Sequence, residues 1–323
     1  MPKVSVIIPV YNTEKYIERC AVSLFEQTLD DIQYIFVDDC SEDHSMNELY
    51  KILERYPKRR EQVTFCHHEK NLGIPAARRT GLAKAQGDYV IHCDSDDWVD
   101  KDAYRLMYEK ALDEGDDIVS CGWYIPNDNT ILADSNDTYI NPIPGGVVGD
   151  ILTQRYSSWV WNKLVKRSLY DQILFFPTKN VLEDMCVVIQ LYYYSAKPSI
   201  LNQSLYYYYF NPNSITNKLE TKEKILDFVQ EMKENFECVR KFLQANSLQE
   251  RFHYEIECYK YYIKNWMRYA VRNVSDIKLW QEVYPQLNNP FHRNPYFRSR
   301  DRFMALLLSL RIYPLIKALI RKY

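Results

Sequence analysis

The first hundred residues alternate short apolar runs with amphipathic stretches, in the order β-α-β-α-β-α-β. Val4–Val10 reads as a buried strand rich in β-branched residues, with Pro9 near its end, where a strand tolerates proline. A helix over Glu14–Thr28 follows, capped by Thr13 and carrying apolar residues at Tyr16, Ile17, Cys20, Leu24 and Phe25. Tyr34–Val37 is a second strand ending in Asp38 and Asp39, and Ser41 or Asp43 caps a helix reaching about Arg55. Val63–His67 is a third strand. Pro75–Ala85 is a helix, and Gly87 closes it before a fourth strand, Tyr89–Cys93. Such alternation predicts a mostly parallel, doubly wound α/β sheet. Ligands bind beyond the carboxyl ends of strands in sheets of this kind.

After the fourth strand the pattern predicts a helix over Ala103–Glu114 and a strand over Asp117–Trp123. A loop or hairpin is expected through 125–149, and a partly helical segment over Ser157–Leu174. A helix near Glu183–Ser195 precedes an edge strand or extended segment at Ser199–Tyr209. From about Thr221 the chain reads as helical, with Phe228, Met232, Phe236, Val239 and Leu243 at three- and four-residue spacing. All eight glycines lie between Gly73 and Gly149, so the tight turns belong to the first half.

The net charge of −2 argues against a nucleic-acid partner. It conceals an asymmetry: segment 298–323 carries seven Arg and Lys against one Asp. Residues 303–323 combine Leu/Ile-rich faces with these cations, and Pro314 interrupts them, so the stretch is unsuited to spanning a bilayer. A basic amphipathic tail is expected to make peripheral contact with an anionic membrane, or else to pack as a terminal helix on the protein. The eight cysteines include no C-x-x-C pair, and several sit in apolar runs. Reduced thiols in a cytoplasmic protein are expected, and no signal peptide is read at the amino terminus.

Three clusters carry chemistry. At the end of the first strand, Pro9-Val10-Tyr11-Asn12 is a proline-fixed turn whose Tyr11 either supports a flat base or packs locally. At the end of the second, Asp38 and Asp39 either cap the following helix or accept hydrogen bonds from a base or ribose. At the end of the fourth, Asp94, Ser95, Asp96 and Asp97 follow one another, and carboxylates so close repel unless a cation sits among them. The spacing of Asp94 and Asp96 suits a hard divalent ion, Mn or Mg, holding a diphosphate. Between these clusters, Gly73-Ile74-Pro75 opens a helix with free N–H groups, and Arg78 adds a forked donor for phosphate, or is simply solvated surface.

SVIIPVYN (5–12), VDDCSEDHS (37–45), NLGIPAARRTGLAKAQGDYV (71–90) and DSDDWV (94–99) together resemble the donor half of family 2 glycosyltransferases. The resemblance implies a GT-A fold, Rossmann-like, with a helical C-terminal extension. The division expected is a catalytic unit over 1–216, with nucleotide-sugar half 1–100 and acceptor half 101–216, and a helical region over 217–323. It implies an inverting transferase, hexosyl- or N-acetylhexosaminyl-, taking a nucleotide-sugar donor such as a UDP-sugar. The nucleotide-sugar residues implied are Pro9, Tyr11, Asp39, Arg78, Asp94 and Ser95, with Asp94 and Asp96 holding the metal.

More weakly, SSWVWNKLVKRSLY (157–170), NVLEDMCVVIQLYYYSA (180–196) and YYYYFNPNSITN (206–217) are similar to the family's acceptor-side segments. Glu183-Asp184 matches its E-D pair, which implies Asp184 as the base with Glu183 beside it, although acidic residues also simply favour helix starts. Arg79 departs from the Asn often found there. A glycan or lipid-linked acceptor in surface polysaccharide assembly, on the cytoplasmic face of the inner membrane, is the setting implied. The competing expectation is a catalytically silent scaffold that binds nucleotide or glycan. An EF-hand is excluded because Val99 and Arg105 stand where Gly and Glu are required, and P-loop and G-x-G-x-x-G motifs are absent. A sugar-1-phosphate nucleotidyltransferase is disfavoured because no glycine precedes Gly73.

Overall fold

The computed structural model describes residues 1–126, 131–135, 146–211, 214, 219–289 and 293–320. Its strands are β1 (Val4–Val10), β2 (Ile32–Asp38), β3 (Val63–His67), β4 (Tyr89–His92), β5 (Trp98–Val99), β6 (Ile118–Pro126), β7 (Ile131–Ser135), β8 (Lys163–Lys166) and β9 (Pro198–Tyr207). The helices are α1 (Ile17–Phe25), α2 (Ser45–Glu54), α3 (Ile74–Lys84), α4 (Ala103–Glu114), α5 (Gly146–Leu152), α6 (Arg167–Tyr170) and α7 (Glu183–Tyr194). They continue as α8 (Lys222–Ala245), α9 (His253–Trp266), α10 (Ile277–Glu282), α11 (Ser299–Ser309) and α12 (Tyr313–Ile320).

The strands form one sheet in the order β3-β2-β1-β4-β8-β6-β9-β5, with β7 added to β6. Strands β3, β2, β1 and β4 are mutually parallel, as the alternation predicts; Ile7 pairs with Ile35 on one side and His92 on the other. The chain then inserts β8 antiparallel between β4 and β6, and β9 runs parallel to β6. The segment 157–174 is helical in part, as expected, at Arg167–Tyr170, and it also contributes strand β8, which the sequence pattern does not indicate. Four residues, Lys-Leu-Val-Lys, are too few to display a period, and their conformation is imposed by the two neighbouring strands. Strand β9 lies inside the sheet, with β5 outside it, rather than at the edge. The β6–β7 pairing supplies the hairpin expected in 125–149, of which 127–130 and 136–145 lie outside the described residues.

Alternation along β1 decides where the core sits. Val4, Val6 and Ile8 face one side, packing with α1, α2 and α4. Ile7 faces the other side, in a buried cluster that also holds Ile35, Val188 and Ile189 and continues through Phe228, Phe236, Leu243, Trp280, Leu308 and Tyr313. The C-terminal helices therefore share a core with one face of the sheet. Helix α8 is capped by Thr221, whose side chain accepts from Lys224 N, and it buries Phe228, Met232, Phe236, Val239 and Leu243 as their spacing predicts. Cys186 on α7 and Cys238 on α8 form a disulfide, which corrects the expectation that every thiol is reduced. The helices meet with these Cα atoms 6.1 Å apart. No spacing signal announces a pair 52 residues apart. The other six cysteines form no disulfide among the described residues. No helix among the described residues is long and apolar enough to cross a membrane.

Candidate active site

At the carboxyl ends of β1, β2 and β4 lies a cavity of about 500 Å³. Pro9, Tyr11, Asp39, Asp94, Ser95 and Asp96 all line it. The topology thus gathers three sequence clusters, each at a strand end, into one cleft. Tyr11 stands at its lip, 45% exposed. The turn that places it is held by Asn12 in the left-handed region (φ 53°), with Asn12 Oδ1 accepting from Glu42 N at 2.9 Å.

The two adjacent aspartates at the end of β2 divide their work. Asp38 Oδ1 accepts from Ser41 N, capping the turn. Asp39 is buried and accepts from Leu72 N and Gly73 N, both at 2.8 Å, and from His68 Nδ1 at 2.7 Å. His68 Nε2 in turn meets Thr80 Oγ1 at 2.9 Å. Asp39 therefore fixes the Asn71–Gly73 turn as well as lining the cleft. Gly73 has φ +87°, and a Cβ on it would fall 2.4 Å from Asn180 Oδ1, so the position admits only glycine. Asn180 Oδ1 accepts from Ile74 N at 3.0 Å, occupying the free amino end of α3. His68 and Asn180 were not expected at the site. Nothing local marks them, because their partners lie 12 to 106 residues away.

Arg78, expected beside the nucleotide, is buried on α3 and joins the two halves of the site. Its guanidinium meets Asp94 Oδ1 at 2.9 Å and also pairs with Glu183 and Asp184 at the start of α7. Burial opposes its charge, but Asp184, Asp94 and Glu183 outweigh that and raise its pKa. Burial pushes the carboxyls of Asp184 and Glu183 upward, and Asp184 adds to the rise at Glu183; Arg78 works against both shifts. Val160 N also donates to Asp184 Oδ2 at 3.3 Å. Asp184 and Glu183 border a small void with Arg78, adjoining rather than lining the strand-end cleft.

Asp97 is fully buried: its oxygens accept from Tyr206 Oη (2.6 Å) and Tyr209 N (2.7 Å), which ties β9 to the acidic turn. Asp96 accepts from Asn211 Nδ2 at 2.9 Å, and burial followed by the charge of Asp94 raises its carboxyl. No three metal-ligating side chains converge among the described residues. Asp94 and Asp96 line one cleft, the second raised by burial and by the first, and two such carboxylates are a hard-oxygen donor set that fits a divalent cation completed by diphosphate oxygens.

The aromatic and basic residues of 157–167 also take definite places. Trp161 is buried and stacks on Tyr206 with ring centroids 4.3 Å apart. Trp159 stacks on Trp161 but is 38% exposed. Lys163 is buried and donates to Ser157 Oγ and Asn162 Oδ1, so it supports the fold from within.

Residues 5–192 match the family described as Glycosyl transferase family 2. The chain belongs to glycosyl transferase family 2. This family 2 chain is similar to the uncharacterized glycosyltransferase EpsJ of Bacillus subtilis (strain 168), 32% identical over 223 residues that cover 67% of this chain and 63% of EpsJ. It thus spans less than two thirds of that relative's length. Among solved structures, it resembles residues 1–349 of S. aureus TarS with a TM-score of 0.62 and 18% identity, covering 96% of this chain and 88% of that one. TarS has also been solved in complex with UDP-GlcNAc. The mannosyltransferase PcManGT of Pyrobaculum calidifontis, in complex with GDP-Man and Mn2+, matches with a TM-score of 0.51 and 17% identity, covering 100% of this chain and 88% of that one. These likenesses are of fold, and the fold of this family 2 member is GT-A, with helices α8–α12 added behind it.

Proposed function

We propose that the chain transfers a sugar, with inversion, from a nucleoside-diphosphate sugar to a hydroxyl of a glycan or lipid-linked glycan, in surface polysaccharide synthesis. A UDP-sugar is the first candidate donor. The observation that carries this reading is the union of strand-end residues Pro9, Tyr11, Asp39, Asp94, Ser95 and Asp96 in one cleft, with Asp184 joined to Asp94 through Arg78.

In this reading Tyr11 supports the base at the cleft lip, and Asp39 holds the Gly73 turn that also lines the cleft. Asp94 and Asp96 would hold Mn or Mg, which would supply positive charge to the departing diphosphate. Asp184 takes the proton of the acceptor hydroxyl. The acceptor oxygen attacks the anomeric carbon from the face opposite the diphosphate; the carbon–oxygen bond to the nucleotide breaks, and the anomeric configuration inverts. Glu183 shares Arg78 with Asp184 and so positions the base.

A thermal-shift panel of UDP, GDP, dTDP and CDP with manganese tests the donor assignment. One nucleotide is expected to raise the melting temperature by several degrees, and Asp96→Ala is expected to abolish the rise. No shift with any nucleotide at millimolar concentration would replace the transferase reading with the silent-scaffold one.

We extend the proposal to the chain's end. Helix α11 buries Ala305, Leu307 and Leu308, so part of the tail packs on the protein. Phe303, Leu310 (58% exposed), Ile312 and Leu315 (62% exposed) are left outward. Of the tail's cations, Arg302 is tied to the Asn294 carbonyl, and Arg321 and Lys322 lie outside the described residues. Arg311 adjoins the outward apolar residues in sequence. These residues support peripheral contact with an anionic membrane. Co-sedimentation with phosphatidylglycerol vesicles is expected to fall several-fold in Leu310→Asp/Leu315→Asp. Equal sedimentation of parent and variant would leave the tail as a packing element only.

A further inference from the structure

A second cavity, of about 280 Å³, lies in the helical C-terminal part. It shares no lining residue with the donor cleft. One wall is the face of α9 and the turn after it, one is the end of α5 at Thr153 and Gln154, and one is the segment 296–301 leading into α11.

Its chemistry is specific. Trp266 and Tyr269 line it with ring centroids 5.5 Å apart. Arg268, Arg298 and Arg300 also line it, against a single carboxylate, Asp301. That carboxylate is engaged internally, accepting from Asn265 Nδ2 and Arg298 N, both at 3.2 Å. Arg298 and Arg300 make no ion pair among the described residues, whereas Arg55, Arg78, Arg105, Arg155 and Arg240 do. Asn265, another lining residue, has its Oδ1 buried without a hydrogen-bond partner among the described residues. Arg268 lies over one side of the Tyr269 ring, 4.7 Å from its centroid, and donates to its hydroxyl, so the cleft offers an aromatic pair, the two forks of Arg298 and Arg300, and a spare buried acceptor. Ring faces suit the C–H face of a pyranose, the acceptor suits a hydroxyl, and paired forks suit carboxylate or phosphate.

We infer that this cleft binds an acidic saccharide unit, one bearing a carboxylate or phosphate, of the acceptor glycan at a distance from its reacting end. The inference rests on the proposed glycan acceptor and narrows its class to an anionic polymer. The fold connects the two places. Helix α5 packs against both α7, which carries Asp184, and α9, which lines the cleft. The stretch 153–161 begins at the cleft with Thr153 and Gln154 and, at Val160, donates to Asp184. Binding remote sugar units holds the reacting hydroxyl near the site and supplies energy to position it.

The test is isothermal titration of the full chain with tri-galacturonate, in 0.15 M salt and with UDP present to occupy the donor cleft. Maltotriose, inorganic phosphate and phosphatidylglycerol vesicles are the comparison probes. Tri-galacturonate is expected to bind and maltotriose to bind more weakly. Arg298→Gln/Arg300→Gln is expected to weaken tri-galacturonate about tenfold or more, the scale of one lost charge-assisted contact. Tyr269→Ala, at an exposed ring, is expected to weaken both saccharides. Absence of tri-galacturonate binding, or binding unchanged in the arginine variant, overturns the inference. Phosphate binding as tightly as the saccharide and indifferent to Tyr269→Ala would make this a plain anion site. Vesicle binding lost in the arginine variant, without saccharide binding, would make it a headgroup site. The UDP thermal shift of the same variant separates the two readings: retained, it leaves the donor assignment standing whatever the cleft does.

Discussion

Replacing Asp184 with Asn is expected to lower sugar transfer by roughly 10²–10⁴-fold at saturating donor, the range for loss of a positioned general base. The amide keeps the size of the carboxylate but cannot accept the acceptor's proton. Nucleotide binding is expected to persist, because Asp184 does not line the donor cleft. The pH profile gives an independent readout. Burial holds the Asp184 carboxyl above its ordinary value, and Arg78 only partly offsets this. A base must be ionised to act, so the acid limb of the parent's rate profile is expected above the usual aspartate range, with activity rising as pH rises through it. The residual activity of Asp184→Asn is expected to lack that limb. Full activity in this variant, or an unchanged acid limb, would remove Asp184 from the role.

Arg78→Leu is expected to be the most destabilising single change at the site, by about 3–5 kcal/mol at neutral pH, the cost of leaving buried charges unpaired. In a chain of this size that corresponds to a fall in melting temperature of roughly 4–7 °C. The sign of the pH dependence follows from the carboxylates left behind. Glu183 and Asp184 already have raised folded-state values from burial, and without Arg78 they rise further. Groups with raised folded-state values favour the fold while protonated and lose that contribution as pH rises through those values. The variant is therefore expected to lose stability more steeply than the parent as pH rises from the ordinary carboxylate range, and to recover part of the deficit in acid. Arg78→Lys, which keeps the charge without the fork, is expected to fall between the two. Thermal melts of the three proteins from pH 4 to 8 make the comparison. Equal melting temperatures for Arg78→Leu and parent at neutral pH would show that the cluster carries no net stabilisation.

What could be read from the sequence follows physical range. Strands β1 to β4 announce themselves by apolar runs bounded by turn residues, and Val63–His67 and Ala103–Glu114 fall where their patterns place them. Clusters at strand ends were legible because topology alone brings such ends together. Strand β8 was not, since four residues carry no period and their pairing is set by strands distant in sequence. The partners of individual side chains were equally silent. Arg78 invites a phosphate reading locally, yet its carboxylate partners Glu183 and Asp184 are 105 and 106 residues away. Asp97 reads as one more acid in a row, yet Tyr206 and Tyr209 enclose it from beyond a hundred residues on. The Cys186–Cys238 bridge belongs to the same class, fixed by how two helices meet rather than by either helix.

The buried cluster that runs from Ile7 and Ile35 of the sheet to Trp280 and Tyr313 near the chain's end has a consequence for inheritance. A helical appendage joined by a linker can be exchanged between relatives like a cassette. Here the sheet and α8–α12 share buried packing, so a crossover between β9 and α8 would bring together two half-cores shaped for different partners. Substitutions at Phe228 or Trp280 must be answered on the sheet's own face, and the nucleotide half and the helices are bound to drift through generations as one lineage.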